Sequence, residues 1–467
     1  MKGKRPAISV IIPTHNRRAD LQRTLEALQV QTYPLTEVEV IIVADGSVDG
    51  TLEMLKDYRA PFTLNVIAQS NLGPGAARNC GAGTARAPLL LFLDDDVEPA
   101  PALIEAHVCA HRRQKDHVVI GPYLPVYQDN SYLHIQIRSW WERVFRDMLR
   151  QGHRFSFRDV LTGNMSIKAE LFARIGGFNP ALRAHEDYEF GMRLIKAEVT
   201  VSVAADAIGR HHDRSDLRRS FRRKFEEGRA DVMMARLHPK FTQALPLTRT
   251  DLGRLSPTRI LCMLVFNWPT AGDAFAAILT GALGPMEKTR LRRRWWQLSA
   301  ILRKYWYWRG VASESGTFRK LRKTLGEGVV SYKQSAPEAE LDLSEGLEHA
   351  EQRLDKERPA AIRIRFGRTP IGIIHHQPGA EALRGTHLRS LLANSLTVPL
   401  LHAMALEGQI TGSETIDRLK LSKTIRARAH WFGPIRPGEM WSEQYRQWNE
   451  LGKKRYPQSS GTERTSG

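Results

Sequence analysis

The chain has 467 residues, 42% of them hydrophobic and 25% charged, and a formal net charge of +19. This length predicts about two to four domains, and the composition is that of a chain that buries a core, which excludes fibrous and largely disordered classes. The charge calls for a polyanionic partner or surface: nucleic acid, anionic lipid or a phosphorylated substrate. Cys80, Cys109 and Cys262 are far apart and match no metal spacing, so a disulfide framework is not expected and a reducing compartment is. The opening MKGKRPAISVIIPTHNR has a basic tip but too short an apolar run for a secretory signal.

In chain order, AISVIIPTHN reads as a buried strand closed by Pro13 and Asn16, and ADLQRTLEALQVQ as a helix with Leu21, Leu25 and Leu28 on one face. VEVIIVADGS is a second strand, TLEMLKDY a short helix and FTLNVIAQ a third strand. GPGAARNCGAGTA reads as a Gly/Ala-rich loop feeding a helix, and LLLFLDDD as a fourth strand. Strand–helix alternation with continuous apolar strands predicts an α/β domain with a mostly parallel sheet, whose ligands bind beyond the carboxyl ends of the strands. Further on come GNMSIKAELFARIGGFNP (strand, helix, turn), the helix HEDYEFGMRLIKAEV, and VTVSVAADAIGRHHD as one strand leading to His211 and His212. Residues 241–325 read as helical, basic and aromatic, and 326–345 as a linker. Residues 346–455 read as a small C-terminal α/β module with a hairpin in AIRIRFGRTPIGIIHHQPG, and 456–467 as a disordered tail. The apolar run at 260–286 is interrupted by Asn267, Pro269 and Asp273, falls short of the ~20 residues of a spanning helix, and reads as a core or interfacial helix.

The chemistry concentrates at strand ends. Asp94, Asp95 and Asp96 close the fourth strand, where like charges ~4 Å apart repel by ~4 kcal/mol at an effective dielectric near 20. A Mg²⁺ or Mn²⁺ ion that keeps one or two carboxylates and takes its other ligands from phosphates relieves that repulsion; a solvated acidic turn is the plain alternative. Asp45 ends an adjacent strand, where it can accept from a base N–H or close a turn, while Asp49 suits a cap for the short helix. Arg78 follows a flexible loop and can pair with a phosphate or with the aspartates. Glu186, Asp187 and Glu189 stand at a helix start, as dipole partners or, for one of them, as a general base. The glycines of GPGAARN follow a later strand and lack the third position of a dinucleotide-binding loop, and there is no P-loop lysine pattern.

In this order and spacing, ISVIIPTHNR, VIIVADGSVDGT, NLGPGAARNCG, FLDDDVEP, GNMSIKAELFARIGGFNP and HEDYEFGMRL resemble the inverting GT-A-fold glycosyltransferases of family 2, over residues 8 to about 239. The resemblance implies a GT-A domain at 1–240 and transfer of a sugar from a nucleotide-diphosphate sugar, first of all a UDP-sugar, to a saccharide or lipid-linked acceptor in polysaccharide or glycolipid synthesis. It implies that Pro13, His15, Asp45, Arg78, Asp94 and Asp95 line the nucleotide sugar. Asp94 and Asp96 would hold the metal, with His211 or His212 as a further ligand, and Asp187 would be the base with Glu186 as its substitute. Ala44 replaces the first of two acids often found in the nucleotide stretch, and no Q-x-x-R-W motif follows the Glu-Asp pair, which argues against a processive synthase. The basic-aromatic runs favour a cytoplasmic protein lying on the inner face of an anionic membrane, and no specific nucleic acid is expected. A catalytically weak nucleotide-binding scaffold or polyanion binder is the alternative.

Overall fold

The structure, a computed structural model, describes residues 5–113, 117–127, 129–248, 257–328 and 338–410. Ten strands precede residue 212: β1 (Ile8–Thr14), β2 (Val38–Asp45), β3 (Thr63–Gln69), β4 (Leu89–Leu93), β5 (Val97–Pro99), β6 (His117–Ile120), β7 (Tyr123–Pro125), β8 (Asn164–Lys168), β9 (Thr200–Val203) and β10 (Gly209–His211). Seven form one sheet in the order β3-β2-β1-β4-β8-β6-β9. β1, β2, β3 and β4 run parallel, as do β6 and β9, while β8 is antiparallel to both its neighbours. The Ile/Val/Leu runs of β1, β2 and β4 are buried on both faces, as a helix-covered sheet requires. The remaining three form a small sheet in the order β5-β10-β7.

Seven helices accompany these strands: α1 (Arg18–Leu28), α2 (Thr51–Asp57), α3 (Pro74–Thr84), α4 (Leu103–Arg113), α5 (Tyr132–Leu149), α6 (Ala169–Ile175) and α7 (Glu186–Lys196). The Gly/Ala-rich stretch expected to be a loop is itself α3. Pro74 takes the first helical turn, and the small residues let the helix lie on the sheet; a Cβ on Gly81 would stand 2.5 Å from Ile11. The single strand expected over VTVSVAADAIGRHHD is two: β9 belongs to the main sheet, and β10 turns away to pair with β5, His211 opposite Val97.

Next come α8 (Leu217–Leu237), α9 (Pro257–Asn267), α10 (Pro269–Gly281), α11 (Leu283–Lys288), α12 (Arg292–Ser315) and α13 (Phe318–Gly328). They enclose a second core in which Phe221 and Val232 meet Trp295, Leu302, Tyr305 and Trp308, so the core crosses the expected boundary at 240. α8 and α12 touch backbone to backbone: a Cβ on Gly228 would stand 2.0 Å from the Tyr307 carbonyl, and one on Gly310 1.9 Å from that of Phe225. Among the described residues, no single helix is long and apolar enough to cross a membrane.

The C-terminal module comprises β11 (Ala339–Asp342), α14 (Leu347–Glu357), β12 (Ile362–Phe366), β13 (Thr369–Ile374), α15 (Gly385–Leu391) and α16 (Thr397–Leu406). The expected hairpin is β12–β13. The expected linker is shorter than 326–345, because β11 pairs in parallel with β12 and belongs to the module. The rest of the linker at 329–337, the module beyond 410 and the tail at 456–467 lie outside the described residues. The module docks through Glu381, whose carboxylate accepts from the Phe155 N–H (3.0 Å) while its own N–H donates to the Phe155 carbonyl (2.8 Å).

Candidate active site

The ends of β1, β2 and β4 bring His15, Asp45 and Asp94 to one edge of the sheet. Past β4 the chain turns, Val97 N–H donating to the Asp94 carbonyl (3.1 Å), and the β5–β10 ladder carries His211 to the turn. The mutual repulsion of the three aspartates is answered by cations of the protein. Asp94 accepts from Arg78 (2.6 Å), and Asp95 from the Thr14 hydroxyl (2.8 Å) and Arg17 (3.1 Å). Asp96 also accepts from Arg17 and lies 3.5 Å from His211 Nε2. Burial pushes the Asp95 carboxyl up to about 7, against the pull of Arg17. Burial acts on Asp96 too, but His211 and Arg17 outweigh it and hold Asp96 well below the usual carboxylate range. Sequence reasoning missed Arg17; its signal was its position directly after the PTHN loop, on the same strand-end row as the aspartates.

Of the two histidines left open by the sequence, His211 faces Asp96, whereas His212 turns away and donates to Glu98 (2.7 Å). The His212 ring is engaged by another carboxylate in this structure. Asp94, whose side chain is about one-third exposed, is paired with Arg78.

On the base side, Pro13 is half-buried in β1 and His15 is exposed, its Nδ1 2.6 Å from the Asp45 carbonyl oxygen. Asp45 does not stand open. Its carboxylate accepts from Gln69 (2.7 Å) and from the backbone N–H groups of Leu72 and Gly73 (2.8 Å each), using three of about four lone-pair sites to fasten the loop after β3. Asp49 does not take the cap position of α2, which Gly50 occupies with positive φ; its carboxylate closes the turn before the helix, accepting from Thr51 Oγ1 and N–H, and also takes the Arg18 N–H.

The second acidic cluster opens α7. Glu186 is buried and accepts from Arg78 (2.8 Å), so one buried guanidinium joins Asp94 to Glu186. Asp187 accepts from the backbone N–H of Tyr188 (2.8 Å), and burial, with the neighbouring Glu186 charge, pushes it up to about 7. Glu189 is engaged by Arg193 and His238 and is unavailable for chemistry. His185, just before α7 with φ +58°, donates to Asp231 (3.0 Å), which also accepts from Tyr307 (2.6 Å); α8 and α12 thereby brace the start of α7.

Among the described residues, no three His, Cys, Asp or Glu side chains are arranged to hold a metal ion by themselves. The pair Asp96–His211 nevertheless fits a hard divalent ion. Two donors on one such ion stand about 3 Å apart, close to the spacing seen here, and such ions commonly take their remaining ligands from phosphates and water.

The family described as "Glycosyl transferase family 2" matches residues 9–176. Validoxylamine A glucosyltransferase of Streptomyces hygroscopicus subsp. jinggangensis is 31% identical over 232 residues, covering 44% of this chain and 55% of that protein. Glycosyltransferase AglE of Haloferax volcanii is 28% identical over 214 residues, 45% of this chain and 68% of that protein. Among solved structures, the mannosyltransferase PcManGT from Pyrobaculum calidifontis, in complex with GDP-Man and Mn²⁺, aligns with a TM-score of 0.43 at 18% identity, over 65% of this chain and 86% of that one. The matched segment thus spans about half the length of the Streptomyces relative. The strand order, the lone antiparallel β8 inside a parallel sheet and the family match agree on a GT-A fold. Residues 9–176 of this chain are thus similar to glycosyl transferase family 2.

Proposed function

We propose that the chain transfers a sugar from a nucleotide-diphosphate sugar to an acceptor hydroxyl, with inversion at the anomeric carbon, in polysaccharide or glycolipid synthesis. The observation that carries this reading is the Arg78 bridge: one buried side chain holds Asp94 on the donor side and Glu186, next to Asp187, on the acceptor side. Asp187, pushed up to about 7, is matched to proton transfer near neutral pH. It takes the proton of the acceptor hydroxyl as oxygen attacks the anomeric carbon, and the bond to the diphosphate breaks on the opposite face. Arg78 and Glu186 position Asp187; Glu186 is its substitute as base. His15, Pro13 and the loop fastened by Asp45 wall the nucleobase, and Asp95 lies toward ribose and sugar.

A divalent Mg²⁺ or Mn²⁺ ion held by Asp96 and His211 supplies charge neutralisation on the diphosphate when bound. Arg17, held on Asp95 and Asp96, is a cation that would stand near the same phosphates. That placement is also what favours the second reading, a weak or non-catalytic nucleotide binder whose aspartates are neutralised internally. Turnover of a panel of UDP- and GDP-sugars, with and without chelator, separates the two. The name of the Streptomyces relative puts a glucose nucleotide first in the panel, with UDP-glucose as first donor. Metal-dependent release of nucleoside diphosphate supports transfer, and nucleotide-induced thermal stabilisation with no turnover supports the binder. The proposed setting is the cytoplasmic side of a membrane, with a saccharide or lipid-linked acceptor.

A further inference from the structure

The basic aromatic stretch around 285–325 was expected to lie on the membrane, but its large rings Trp295, Tyr305 and Trp308 are buried in the second core. The exposed apolar surface lies one step earlier in the chain. Ile260 and Met263 on α9 are 65% and 53% exposed, Trp268 at the break is 62% exposed, and Phe275 and Ile278 on α10 are 56% and 72% exposed. Asp273 is the one charged residue between 260 and 286, and it points inward, accepting from the Tyr305 hydroxyl (2.6 Å) and Arg309 (3.1 Å). A helix on a water-exposed surface shows the opposite pattern, charge outward and phenylalanine and isoleucine inward.

We propose that the bent pair α9–α10 is a wedge that dips into one leaflet of an anionic bilayer without crossing it. The segment Pro269–Lys288 is bent by 117° away from the course of Ile260–Asn267, so neither continues the other across a membrane. Proline at the first turn of α10 sets the break and leaves the Trp268 indole at the bend, a ring suited to the boundary between lipid and water. Directly after the wedge come the exposed cations Lys288, Arg290, Arg292, Arg293 and Arg294, on a chain of net charge +19. Apolar insertion joined to a basic collar is the two-part signal that stable attachment to an anionic surface needs. A second copy of the chain fits this face less well, because a symmetric contact would bring the two arginine runs toward each other. The inference rests on the membrane part of the proposed function and not on its chemistry.

The test is co-sedimentation of the full chain with phosphatidylcholine vesicles, with and without phosphatidylglycerol. The protein is expected to bind only the anionic vesicles. Replacing both Phe275→Asp and Ile278→Asp, on exposed positions, should weaken binding by about tenfold or more while leaving nucleotide-sugar hydrolysis in solution unchanged. Trp268→Ser is a charge-neutral second variant expected to weaken binding less. Equal binding by the double variant, no binding by the unaltered chain, or a soluble dimer that the same substitutions dissolve would overturn the wedge. Loss of hydrolysis with intact vesicle binding would instead count against the transferase reading alone.

Discussion

Asp95 and Asp187 are both pushed up to about 7, and in both burial is the largest cause. Their surroundings differ. Asp95 is held by the Thr14 hydroxyl and the Arg17 guanidinium, whereas Asp187 takes one hydrogen bond from a neighbouring backbone N–H. Burial alone therefore does not mark a base. A carboxylate enclosed by fixed donors is a structural or ligand-positioning group, and one with a single weak partner is free to exchange a proton with an incoming hydroxyl.

The sharpest way to break this comparison is Asp187→Asn, expected to lower transfer by about 10³-fold with the fold intact by circular dichroism. Near-normal turnover would remove Asp187 as the base. Next is Arg78→Met. It leaves Glu186 buried without its cation and Asp94 unpaired, and should cost about 3 kcal/mol in urea unfolding. A cost under about 1 kcal/mol would mean the bridge is an ordinary surface pair. Asp96→Asn should lower turnover about 10²-fold, and His211→Gln should share its loss of response to added divalent ion.

The pH dependence sharpens the same contrast. The base works deprotonated, so turnover should rise with pH through about 7, the value at which Asp187 is held. Its effect on stability should run the other way. Between the unfolded value of roughly 4 and the folded value native Asp187 holds its proton more tightly, so its own contribution to stability falls as pH rises across that window. Asp187→Asn should remove this contribution, while Asp95 adds one of the same sign and His107 and His111, which burial pushes down to about 4 and about 3, add one of opposite sign; an unchanged slope in the variant would refute the raised value. The smallest effect is expected at His212→Gln, which loses one contact to Glu98, about 1 kcal/mol of stability, and leaves turnover near that of the unaltered chain.

Much of the site was legible as order along the chain. Apolar runs ending in Thr14, Asp45 and Asp94 announce parallel strands with polar ends at one edge, because a sheet covered on both faces admits polar residues mainly at its rim. Less legible was what each side chain does there. Asp45 reads as an open acceptor, but Leu72 and Gly73, 27 and 28 residues later, take its carboxylate. Arg17 belongs to no acidic or glycine-rich motif, but the fold places it against Asp95 and Asp96, 78 and 79 residues away. The aromatic residues of α12 read as a membrane face, but Gly228 and Gly310 let α8 and α12 close on each other and draw those rings inward.

The sequence by itself determined the α/β plan, the strand ends that carry the acids and the likeness to a sugar-transferring family, because local periodicity and short motifs are properties of neighbouring residues. Only the tertiary structure decided that His211 and not His212 meets Asp96, that Arg78 spans both acidic clusters, and that the exposed apolar surface is α9–α10. Those outcomes depend on which distant side chain reaches a buried charge first, and on which face of a helix its neighbours cover, and neither is a property of any one stretch of chain.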